Sequence, residues 1–139
     1  MKSILVLLFA AASLHAEDWA QFRGPNASGI SSSKGLPLEF SADKNIAWKA
    51  RLGDGVGSAI IKDGVVYASG MAGDSKAAMH AFDAATGAAK WRTEFETGTL
   101  PRITPPNSHA AATPATDGER VYIHFSTIGL LAFDCATGK

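Results

Sequence analysis

The run Ala81-Phe82-Asp83-Ala84-Ala85-Thr86-Gly87-Ala88-Ala89-Lys90-Trp91 decides how the rest of this chain is read. It has the form of a β-hairpin: a short strand ending at Asp83, a tight turn closed by Gly87, and a second strand carrying Trp91. An aspartate side chain accepts hydrogen bonds from backbone N–H groups two residues on, and glycine takes a positive φ that most other residues resist. Hairpin loops of roughly three to five residues commonly close in this way. The same signature returns at Ala132-Phe133-Asp134-Cys135-Ala136-Thr137-Gly138, and the sequence stops at Lys139, before the tryptophan that the first copy places next. A turn that recurs with its flanking strand marks a repeat protein. The expectation is that these residues are an N-terminal fragment of a longer array.

Working outward, the residues before each turn also match. Ser58 to Lys62 reads as a strand, Asp63-Gly64 as a tight hairpin turn, and Val65-Val66-Tyr67-Ala68-Ser69 as a β-branched and aromatic strand. A loop from Gly70 to Lys76 leads to a strand over Ala78–Asp83, and an outer strand over Ala88–Phe95 follows the turn. In the second cycle Thr113-Pro114-Ala115-Thr116 corresponds to the first strand and Asp117-Gly118 to the turn, displaced by one residue. Arg120-Val121-Tyr122-Ile123 corresponds to the second strand. Tyr67 and Tyr122 lie 55 residues apart, whereas Phe82 and Phe133 lie 51 apart, so the length change falls in a loop.

A unit of about 40 to 55 residues with four short strands is the mark of a propeller blade. The chain is therefore expected to be all-β, with one full blade over 58–95, a connection over 96–111 and a partial blade over 112–139. Residues 45–52, which place Trp48 much as 88–92 place Trp91, are expected to be the outer strand of a preceding blade. Small residues at Ala81 and Ala132 would let neighbouring sheets approach, with the tryptophans wedged between blades. Residues 17–44 show no steady period and are expected to form an extended lead-in, pinned by its aromatics, running over a sheet edge or closing a ring.

Composition narrows the function classes. The 139 residues have a formal net charge of zero and are 46% hydrophobic, which argues against a disordered chain and against an electrostatic nucleic-acid binder. Residues 1–16 read as a signal peptide. Lys2 precedes the apolar Ile4-Leu5-Val6-Leu7-Leu8-Phe9, and Ala16 offers a small residue before Glu17. The apolar run is too short for a permanent transmembrane segment. The expected location is therefore the periplasm or the extracellular space. The one cysteine, Cys135, allows no internal disulfide and reads as a small turn residue, and none follows the signal to carry a lipid. Asn26-Ala27-Ser28 fits a glycosylation sequon, a pattern with little weight in a chain of unknown source.

The pattern Ala81-x-Asp83-x-x-Thr86-Gly87-x-x-x-Trp91 resembles the tryptophan-docking repeat of the pyrroloquinoline-quinone (PQQ) type β-propellers. Quinoprotein alcohol dehydrogenases and a propeller lipoprotein of outer-membrane protein assembly share it. The lead-in Asp18-Trp19-Ala20-Gln21-Phe22-Arg23-Gly24-Pro25-Asn26, with Asn45-Ile46-Ala47-Trp48-Lys49 and Thr113-Pro114-Ala115-Thr116-Asp117-Gly118, resembles exported bacterial PQQ-like repeat proteins of no assigned activity. The structural motif positions are then Trp48, Ala81, Asp83, Thr86, Gly87, Trp91, Ala132, Asp134, Thr137 and Gly138. The resemblance leaves two functional expectations. The first is a non-catalytic binding or assembly scaffold of the cell envelope, with no cofactor, holding a protein or small-molecule ligand at the propeller face. Asn107 and His109, at the end of the connection, are its candidate channel-mouth contacts. The alternative is the N-terminal part of a PQQ-dependent dehydrogenase using PQQ and calcium. That enzyme family stacks its quinone on a ring formed by two adjacent cysteines, and this chain has no Cys-Cys pair. His80 and His124 fall within strands and are expected to be packing or surface residues.

Overall fold

The computed structural model describes residues 17–139; the signal peptide expected over residues 1–16 lies outside them. Seven strands follow one another: β1 (Ile60–Lys62), β2 (Val65–Met71), β3 (Lys76–Asp83), β4 (Ala89–Glu96), β5 (Ala115–Thr116), β6 (Arg120–Phe125) and β7 (Gly129–Asp134). They form two antiparallel meanders, a four-stranded sheet β1-β2-β3-β4 (blade 1) and a three-stranded sheet β5-β6-β7 (blade 2). The described residues are all-β, in antiparallel meanders that repeat one another, as the sequence repeat implied.

The registers show how closely the two sheets copy each other. Ile60 faces Tyr67 and Tyr67 faces Ala81 in blade 1; Ala115 faces Tyr122 and Tyr122 faces Ala132 in blade 2. The one-residue displacement of the turn follows from this register. Asp63 and Gly64 both take positive φ (49° and 74°), the pairing a two-residue type I′ hairpin requires. Gly118 alone takes positive φ (98°) in the second hairpin, where Asp117 occupies the place of Lys62.

Burial follows from how many faces each strand covers. In β3, residues Ala77 to Phe82 are buried without a break, because this strand has neighbours on both faces. β4 alternates half-buried and exposed positions, as an outer strand does. The main core is shared between the blades: Ile60, Tyr67, Met79 and Ala81 from blade 1 meet Val121, Ile123 and Phe133 from blade 2. A second cluster joins Ala77, Ala110 and Phe125, with Phe95 edge-on to Phe125 at 5.7 Å. Each fully buried aliphatic side chain contributes about 1.5–3 kcal/mol, so the interface between sheets is the main source of stability.

Three expectations need correction. Residues 45–52 are not a β-strand: Asn45 is a bend with φ 60°, and the rest pair with no strand among the described residues. Ala132, unlike Ala81, is exposed, because no sheet packs on that face of blade 2 among the described residues. The lead-in is pinned by Trp19 rather than by its aromatics in general. Trp19 exchanges backbone hydrogen bonds with Ile61 at the β1 edge (2.7 and 3.0 Å), while Phe22, Leu36, Leu38 and Phe40 are exposed.

Candidate functional site

The repeated motif builds the same local structure twice. Asp83 Oδ1 accepts from the Thr86 backbone N–H (2.9 Å) and the Thr86 hydroxyl (2.7 Å), and the Gly87 N–H donates to the Asp83 carbonyl (2.8 Å). Asp134 Oδ1 accepts from the Thr137 N–H and hydroxyl (both 2.8 Å), and the Gly138 N–H donates to the Asp134 carbonyl (2.8 Å). These bonds reach three residues on, and Asp134 Oδ1 also accepts from the Ala136 N–H two residues on (3.1 Å), as the sequence suggested. Thr86 and Thr137, through hydroxyl and N–H together, hold the Asp83 and Asp134 carboxyls below the ordinary carboxylate range.

Each turn then receives a tryptophan. The Trp48 indole N–H donates to the Ala84 carbonyl (2.9 Å), and the Trp91 indole N–H donates to the Cys135 carbonyl (2.8 Å). Gly87 (φ 72°) and Gly138 (φ 71°) lie under those rings: a Cβ at either position would sit 2.6 Å from the indole. Glycine here permits both the left-handed backbone and the close approach of the ring. Trp91 is further packed by Tyr67 and Phe133, with ring centroids 5.9 and 6.4 Å away, so it wedges between the two blades. Trp48 packs on Phe82 at 5.9 Å. Cys135, at the place of Ala84, is a half-buried free thiol whose Sγ lies 3.4 Å from Thr116 Oγ1.

The candidate channel-side residues behave differently. Asn107 is exposed and its N–H donates to the Thr104 carbonyl (3.1 Å); His109 is half-exposed. Between and after them Ser108 and Ala110 are buried, with Ser108 Oγ accepting from the Ala110 N–H (3.2 Å). The Ala110 carbonyl in turn accepts from the Val56 and Gly57 N–H groups, which fixes the end of the connection against the segment entering β1. Asn107 and His109 thus stand on an anchored loop. A separate cavity of about 180 Å³, lined by Asp18, Ala20, Gln21, Gly24 and Pro25, lies in the lead-in.

The lead-in makes contacts that periodicity could not reveal. The Thr116 N–H donates to the Ala20 carbonyl (2.9 Å), one residue after the Trp19–Ile61 pair, so a single extended stretch touches the inner strands of both blades. Asp18 accepts from Lys62 Nζ (2.7 Å) and the Asp63 N–H (2.9 Å), and Lys62 chiefly holds its carboxyl below the ordinary value. Asp117 is more strongly affected. The Arg120 N–H, the Tyr122 hydroxyl and the Glu119 N–H all donate to it and hold it down at about 2. His80 is buried, stacks flat on Phe82 (5.8 Å, 7°) and leaves Nε2 without a partner. Burial, with help from Arg92, pushes its imidazole below the ordinary histidine value. His124 is exposed.

No group of three His, Cys, Asp or Glu side chains converges as a metal site among the described residues. The single thiol is packed in a turn, and the repeat carboxylates are engaged by their own threonines. No helix among the described residues is long and apolar enough to cross a membrane.

Two blades joined by tryptophans seated on Asp-Thr-Gly turns define a propeller-type repeat protein. The family model described as outer membrane protein assembly factor BamB, a PQQ-like repeat model, matches residues 32–139. That span is well over half of the chain, and the chain belongs to this family. Among curated proteins none matches it.

Proposed function

We propose that the chain is a non-catalytic PQQ-like β-propeller module of the cell envelope, exported and acting as a binding or assembly scaffold. The observation that carries this reading is the use to which the repeat chemistry is put. Asp83, Thr86, Gly87 and Trp48, with their counterparts Asp134, Thr137, Gly138 and Trp91, are all engaged in closing turns and joining sheets. The family description, an outer-membrane protein assembly factor, supports a partner that is itself a protein. Asn107 and His109, on the anchored loop of the connection, supply the polar contacts for that partner or for a small ligand.

Two measurements test it. Titrating the full chain with PQQ and calcium, and following the quinone's absorbance, should give no saturable change. A stoichiometric spectral shift would overturn the scaffold reading in favour of the dehydrogenase alternative. Cell fractionation with N-terminal sequencing should recover a chain beginning at Glu17 in the envelope. A cytoplasmic chain that keeps Met1 would sink the exported location.

A further inference from the structure

Blade 1 has its four strands, so β4 is its outermost strand and the repeat supplies no fifth. β4 pairs with β3 alone, and its other edge meets no strand among the described residues. The backbone groups on that edge follow from the ladder. The Thr97 N–H donates to the Ser75 carbonyl (2.9 Å), just past the end of the β3–β4 pairing. Successive residues of an antiparallel strand turn their N–H and C=O to opposite sides. Thr93 and Phe95 therefore face β3, while the backbone groups of Arg92, Glu94 and Glu96 stand on the open edge.

The side chains along this strand are ordered by sign. Lys90, Arg92, Glu94 and Glu96 are the exposed positions, two cations followed by two anions, while Trp91, Thr93 and Phe95 are half-buried. Within one chain Arg92 pairs with Glu94 and Lys76 with Glu96, both on the surface. Edge strands are commonly guarded by charge of one sign, which repels a second copy at every register. Here the series read backwards is its own opposite. An antiparallel copy with Thr93 facing Thr93 sets Arg92 against Glu94 twice and Lys90 against Glu96 twice. Sliding that register by two residues puts Arg92 against Arg92 or Glu94 against Glu94. Sliding it by one sets an open-edge backbone group against one already used by β3.

We infer that the outer edge of β4 is a docking surface for β4 of a second copy of this chain, joined antiparallel about a two-fold axis at Thr93. Strand addition of this kind draws affinity from backbone hydrogen bonds and register from side chains. The Arg92 and Glu94 backbone groups of each copy pair across the axis, and opposite charges stand directly opposed on one face. The register shift at Ala81/Phe82 leaves Lys90 without a partner on β3, so the strand bulges there and the ladder between copies centres on residues 92–94. Lys90 and Glu96 then add ion pairs at its two ends. The contact is isologous, so it closes at two copies instead of growing. A small, charged contact gives a transient dimer whose strength falls with salt. The inference does not rest on the scaffold reading, since it concerns the rim of a blade and not what the module binds.

The test follows the mass of the full chain by sedimentation velocity over a concentration series at low and high salt. The expected result is a one-copy to two-copy equilibrium that weakens as salt rises. Arg92→Glu and Glu94→Arg each set like charges across the axis, so each variant alone should stay at one copy with an unchanged far-ultraviolet circular dichroism spectrum. Mixing the two variants restores opposite charges at every position and should restore the dimer, as one copy of each. The amides of Arg92 and Glu94 should exchange quickly in dilute wild-type protein and slow as the dimer forms. A wild-type chain that stays at one copy up to its solubility limit overturns the inference. So does a dimer that survives both charge reversals, a mixture that fails to associate, or growth past two copies. Should either variant unfold, the exchange of the two wild-type amides decides.

Discussion

At the scale of single residues, the turn motif was legible because it is chemical: an acceptor at Asp83 or Asp134, donors at Thr86 or Thr137, and a glycine where φ is positive. What could not be read was that the same glycine carries an indole ring, since nothing in the local sequence of 134–138 points to Trp91, 47 residues before Gly138. That contact is testable. Gly138→Ala should cost about 1–2 kcal/mol for the left-handed backbone alone, and more because its methyl would meet the Trp91 ring at 2.6 Å. Trp91→Phe keeps a ring but loses the indole N–H bond to the Cys135 carbonyl, a loss of about 1 kcal/mol at a 2.8 Å contact. The two changes touch the same contact, so their effects in a urea titration should not add. Additive costs would mean that the ring and the turn are not a unit.

At the scale of elements, the strands of blade 1 and blade 2 were legible from β-branched and aromatic runs bounded by Asp-Gly turns, but their environments were not. Met79 and Leu130 occupy the same repeat position, yet Met79 is fully buried and Leu130 is 69% exposed. Met79→Ala should destabilise the fold by about 2–5 kcal/mol, whereas Leu130→Ala should stay within about 0.5 kcal/mol in dilute protein. Equal costs in chemical denaturation would show that blade 2 is covered as blade 1 is. β3 also carries a pH signal. His80 is buried between Phe82 and Arg92 with a depressed folded-state value, so the unfolded chain takes up a proton that the native strand refuses. Stability is then constant above the ordinary value of 6.5 and falls as pH drops below it, with a slope of at most about 1.4 kcal/mol per pH unit. His80→Phe should flatten the midpoint-against-pH curve between pH 6.5 and the lowered value. An unchanged slope would assign the effect to other groups. Residues 45–52 were misread at this scale because a strand is defined by its neighbour, and sequence shows only the strand.

At the scale of the whole molecule, the repeat period revealed two stacked sheets, while the stretch that ties them together has no period that shows what it touches. Trp19 and Ala20 bridge the inner strands through backbone groups that every residue has, so no residue type marks the contact. Asp18 is the side chain that secures it, through Lys62 Nζ at 2.7 Å and the Asp63 N–H at 2.9 Å. The pair is partly exposed, with side chains 28% and 42% accessible, and such pairs are worth about 0–1 kcal/mol. Asp18→Ala should therefore not unfold the protein. Its effect belongs to local opening, where the Ile61 and Thr116 amides are protected only by the carbonyls of Trp19 and Ala20. Native-state hydrogen exchange at these two amides should quicken by up to about fivefold in Asp18→Ala, while amides within the β2–β3 ladder keep their rates. The wild-type protein should show the same selective loss on acidification. The Asp18 carboxyl is depressed chiefly by Lys62, so its contribution is present above the ordinary 3.8 and fades as pH falls through the lower folded-state value. If both amides exchanged no faster in the variant, the two blades would be held by their shared core alone, and the lead-in would be a passenger on their inner edge.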